Sequence, residues 1–64
     1  MTYDEWAHLW EEPEKYILVR IGEDITIIDR ATKHAIIMED DATYAAVINK
    51  MIEAGVEIAN RWPF

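Results

Sequence analysis

The chain has no cysteine and no serine among its 64 residues. Without cysteine, neither a disulfide framework nor a thiolate-ligated zinc can brace the fold. Without serine or cysteine, the two usual nucleophiles of covalent catalysis are missing. Glycine and proline occur twice each, which leaves no glycine-rich phosphate loop and no linker. No apolar run reaches the roughly 18 residues that a membrane-spanning helix needs. Basic residues are also scarce, with six Lys and Arg against 13 Asp and Glu and a net charge of −7. That balance disfavours direct nucleic-acid binding, which depends on neutralising phosphates with Lys and Arg. Anionic membrane surfaces are disfavoured for the same reason.

What is present is apolar. Hydrophobic residues make up 52% of the chain, too many for a disordered segment despite the charge. Residues 1–64 are expected to form one domain. A domain this short buries roughly 60% of its unfolded surface, so its packing has to be efficient. The N-terminus, Met1-Thr2-Tyr3-Asp4-Glu5, lacks the basic start of a secretory leader, and a cytoplasmic location is expected.

The spacing of Tyr3, Trp6, Leu9 and Trp10 predicts a first helix. Thr2 with Glu5 makes a capping box, Met1 and Trp6 a hydrophobic staple, and Pro13 ends the element. Residues 15–21, 25–30 and 35–39 read as strands rich in β-branched side chains, joined by turns at 22–24 and 31–34. Such short turns impose antiparallel pairing. A second helix is predicted over 42–54, capped by Asp41 or Asp40 and closed by Gly55. The fold class is therefore α+β, a three-stranded antiparallel meander with an N-terminal and a C-terminal helix packed on it. The tail from Val56 to Phe64 is ambiguous between a short strand and an irregular anchor.

If Ile21 pairs with Ile25, one sheet face carries Ile17, Val19, Ile21, Ile25 and Ile27, and the other carries Tyr16, Leu18 and Ile28. Both faces are apolar, so both need a cover. The second helix takes one, and the first helix or the tail takes the other. A dimer burying the second face is the rival to a monomer. Ile27, Ile36, Val47, Ile48 and Ile52 are the expected core.

This topology sends acids from several segments to one end. Asp4, Glu5, Glu23, Asp24, Glu39, Asp40 and Asp41 form a candidate partner-binding rim. The opposite end, with Arg30, Lys33, His34, Glu11, Glu12 and Glu14, has mixed charge. Acids at helix N-termini and in turns have a bland explanation in dipole and capping preferences. The convergence is harder to account for that way, because like charges repel and surfaces usually intersperse signs. A carboxylate cluster on a small domain suits a basic partner.

Other chemistry is sparse. His8 and His34 have no metal-ligand spacing and read as solvated side chains. Glu39-Asp40-Asp41 lacks the spaced ligands of a calcium loop. No metal, cofactor or enzymatic activity is expected, and the Trp6–Trp10 stripe reads as core.

In size, charge and element order, with acids at Glu23-Asp24 and Glu39-Asp40-Asp41, the whole chain resembles the small acidic phage proteins that inhibit CRISPR–Cas systems. It is particularly similar to an inhibitor of the type I-C system. Several such anti-CRISPR proteins act as DNA mimics. They share no motif, so no site residue carries over. The resemblance implies a cytoplasmic partner in the Cascade surveillance complex, namely a basic DNA-recognition surface on its large subunit. The alternative is a small regulatory module (an antitoxin, immunity or adaptor protein) that binds through apolar surface such as Trp62-Pro63-Phe64.

Overall fold

The computed structural model describes residues 6–64. The capping box at Thr2 and the staple at Met1 lie outside the described residues. Within them the first helix, α1, is a short turn at His8–Glu11. Glu12 leaves the helical region at φ −125°, ψ 64°, as the residue before Pro13 must, and a 3₁₀ turn at Pro13–Lys15 leads into the sheet.

The sheet is four-stranded and mixed, in the order β3-β2-β1-β4. Strands β1 (Tyr16–Ile21) and β2 (Asp24–Asp29) pair antiparallel, and β3 (Ala35–Ile36) adds antiparallel to β2. Helix α2 spans Asp41–Glu53 and crosses one face. The chain then returns as β4 (Ile58–Ala59), parallel to β1. The expected three-stranded meander is thus corrected: the tail supplies a fourth strand. The physical reason is the crossover, because α2 carries the chain back to the end of the sheet where β1 begins. A segment climbing from there beside β1 must run parallel to it.

The hairpin register also differs from expectation. Ile21 pairs with Asp24 and Leu18 with Ile27, so the turn is two residues, Gly22-Glu23. Gly22 has φ +65° and Glu23 is not left-handed, the signature of a type II′ turn with glycine first. A one-residue shift moves every side chain of β2 to the other face. Ile25 and Ile27 therefore join Tyr16 and Leu18 under α2, and Ile28 joins Ile17 and Val19 behind.

The larger core cluster unites Leu9, Leu18, Ile27, Val47, Ile48 and Met51. Ile36 packs on its margin. Ile52, expected inside, is 41% exposed: Met51 and Ile48 already fill the face of α2 that meets the sheet. The helix closes in a Schellman motif, with Gly55 at φ +93°, its N–H bonded to Ile52 and that of Val56 to Met51.

Behind the sheet, Ile17, Val19 and Ile28 are at most 1% exposed, with Ala59 packed on them. The first helix does not cover this face, since it packs with α2. After Ala59 the chain ends with the Phe64 ring 4.9 Å from Lys33 Nζ, beyond the end of β2. Residues 60–64 therefore run from the β4 edge toward the β2–β3 turn.

Candidate functional site

Of the expected rim, Glu23 and Asp24 stand at the β1–β2 turn, and Glu39, Asp40 and Asp41 stand where the chain enters α2. These five are exposed and belong to the same end of the sheet. Asp4 and Glu5 lie outside the described residues. The ion pairs among the described residues, Lys15–Glu12 at 2.9 Å and Arg30–Glu57 at 3.4 Å, are at the opposite end. Arg20, facing Ile25 across the hairpin, is a cation near the rim and joins no ion pair among the described residues.

The five acids are not equivalent. Asp40 is the N-cap of α2: its carboxylate accepts the Thr43 N–H at 3.2 Å and the Thr43 hydroxyl. Those bonds to Thr43 hold its carboxyl below the usual carboxylate range. Asp40 is thus accounted for as a structural residue. Glu23, Asp24 and Asp41 instead surround a groove of about 720 Å³ whose walls include Ile25, Ile37, Met38 and Ile48. Glu39 stands outside it.

Backbone geometry creates this groove. The amides of Ile27 and Asp29 point away from β1, toward Tyr44 and His34 respectively, while that of Arg30 bonds to Lys15. Odd-numbered residues of β2 thus face the outer edge. The β2–β3 pairing covers only Ile27–Ile36 and Ile28–Ala35. Beyond Ile36 the chain turns off toward α2, leaving Ile37 73% exposed at the lip. The strand was expected to continue to Glu39. It stops because Tyr44, from the first turns of α2, puts its hydroxyl between the strands, accepting from Ile27 N–H and donating to Ile36 C=O, both at 2.8 Å. Burial pushes the Tyr44 phenol up, against a smaller opposing effect of the Ile27 hydrogen bond.

The apolar walls escaped the sequence reading, because residues 37 and 38 look like strand continuation. The usable signal was Tyr44, an aromatic with a polar tip on the buried stripe of a helix. Among the described residues no cluster of three or more His, Asp or Glu side chains could hold a metal ion. No helix among them is long and apolar enough to cross a membrane. Comparison with known proteins finds no match: no family model, no curated protein and no solved structure.

Proposed function

We propose that this protein is a non-enzymatic inhibitor whose acidic end occupies a basic, nucleic-acid-binding surface of another protein. The observation that carries this reading is the convergence of Glu23, Asp24, Glu39, Asp40 and Asp41, all exposed and outside every ion pair among the described residues. A Lys/Arg groove that receives DNA phosphates attracts such a surface, and occupying it shuts out the DNA. In keeping with the anti-CRISPR resemblance, the partner is the large subunit of a Cascade-type complex, in the cytoplasm of a bacterial host. The blocked step is target-DNA recognition.

The test is competition for target DNA on purified Cascade by the wild-type chain and by the combined Glu23→Lys, Asp24→Lys, Glu39→Lys variant. None of the three residues belongs to the core, so the fold should survive, as circular dichroism can verify. The wild type should displace DNA with a steep salt dependence, and the variant should lose most of that ability. A folded variant that inhibits fully would sink the reading.

A second reading, an interaction module that binds through apolar surface, is favoured by the exposure of Trp62 and Phe64, at 49% and 43%. Its binding would be nearly insensitive to salt.

A further inference from the structure

The groove at the acidic end is also a break in the sheet edge. Strand β2 starts at Asp24, but β3 covers it only from Ile27 onward. Ile25 shares the parity of Ile27 and Asp29, whose amides point outward, so its own N–H and C=O face the open side. Exposed strand edges with unpaired backbone groups are templates for another strand. The side chains lining this groove include apolar Ile37, Met38 and Ile48 and acidic Glu23, Asp24 and Asp41.

We infer that the β2 edge at Asp24–Thr26 is a docking site for an extended segment of a partner protein in which Lys or Arg alternates with apolar residues. The segment adds to β2 outside Ile25. Its apolar side chains enter the groove on the α2 side toward Met38 and Ile48, and its cations alternate to the other side, where Asp24 shares the parity of Ile28 and Glu23 stands in the adjoining turn. Backbone bonds supply affinity and the alternating pockets supply selectivity, as in other strand additions. The fit is one of charge as well as shape, because a second copy of this chain would bring its own acids against the same carboxylates. The inference rests on the reading that the acidic end meets a basic protein, and it specifies what that protein must present.

The experiment titrates the isotopically labelled full chain with a short, end-capped peptide alternating lysine with valine, and separately with an oligolysine of equal charge. Both are followed by amide chemical shifts. The alternating peptide should bind about tenfold more tightly than oligolysine, with the largest shifts at Ile25, Ile37 and Ala45. Ala45→Trp fills the groove from an exposed position of α2 and should remove that advantage. Ile25→Pro deletes the outward N–H without breaking the β1–β2 ladder and should do the same.

Equal binding of the two peptides, with both variants silent, overturns the inference. So does self-association of the wild-type chain through Ile25 with no peptide bound. Neither result touches the inhibitor reading, which falls only if the triple charge reversal still blocks DNA. Glu39, one of its three positions, is outside the groove.

Discussion

The hydroxyl of Tyr44 takes the hydrogen bond that the Ile27 amide would otherwise give to β3, at 2.8 Å, and relays it to Ile36 at the same distance. One helix side chain thus substitutes for a rung of the ladder. It ties α2 to the sheet edge and lets β3 peel away above it. Tyr44→Phe keeps the ring and leaves a partly buried donor and acceptor unpaired, which should cost about 1–3 kcal/mol. Chemical denaturation measures the loss, and faster hydrogen exchange at Ile27 locates it.

The same residue contributes to an alkaline limit, alongside Tyr16, whose phenol burial also pushes up. Burial holds the Tyr44 phenol above the ordinary tyrosine value of 10.0, so the folded state favours the neutral form. The stabilisation is complete below the unfolded value and is lost as pH rises through the higher folded one. Stability should fall above about pH 10, and Tyr44→Phe should remove that part of the decline. An unchanged alkaline limb in the variant would assign the effect to other groups.

Asp40 contributes on the acid side, with the opposite sign. Its folded pKa is lowered by Thr43, so its contribution is present above the ordinary aspartate value of 3.8 and is lost as pH falls through the depressed folded value. Asp40→Ala should lower the thermal midpoint at neutral pH. Asp40→Asn should keep most of the cap and flatten the acid dependence below pH 3.8.

Two isoleucines in α2 separate the observed core from the expected one. Ile48→Ala removes a buried side chain and should cost about 2–5 kcal/mol. Ile52→Ala, at 41% exposure, should cost about 1 kcal/mol or less. Urea midpoints of the two variants in parallel check the ranking.

Helix α2 was legible in the sequence almost to the residue, because a 3.6-residue stripe, an aspartate cap and a glycine stop all agree. The strands were legible as strands. The hairpin register was not: Gly22-Glu23-Asp24 reads equally well as a two- or three-residue turn, and only tertiary packing decides between Asp24 and Ile25 as the partner of Ile21. Strand β4 was legible only as one of two readings of the tail, because a two-residue ladder beside β1 leaves little period-2 signal. At the acidic end, the sequence located the carboxylates by topology, since Glu23-Asp24 and Glu39-Asp40-Asp41 follow strands that end on the same side. It could not show that Asp40 is committed to its own helix, or that Ile37 and Met38 leave the sheet to wall a groove.

The back of the sheet yields the last prediction. Among the described residues no helix packs on the buried Ile17, Val19 and Ile28, and Ala59 does; the path of residues 60–64 from Ala59 toward Lys33 makes the tail the candidate for the rest of the cover. Trp62 and Phe64 meet edge to face at 5.6 Å between ring centroids, and Lys33 sits over the Phe64 ring, fastening the end of the chain to the β2–β3 turn. Ending the chain at Arg61 should uncover part of this surface. Uncovering apolar side chains costs about 25 cal/mol for each Å², so about 100 Å² would cost about 2.5 kcal/mol, a large fraction of the stability of so small a domain. The exposed face should then seek another cover, so the truncated chain should show a lower denaturation midpoint and a mass by light scattering that rises with concentration. A truncated chain that stays monomeric with an unchanged midpoint would show that the tail is not what shields these three residues. Lys33→Ala offers a milder version, loosening the Phe64 contact without deleting it, and should move both readouts in the same direction by less.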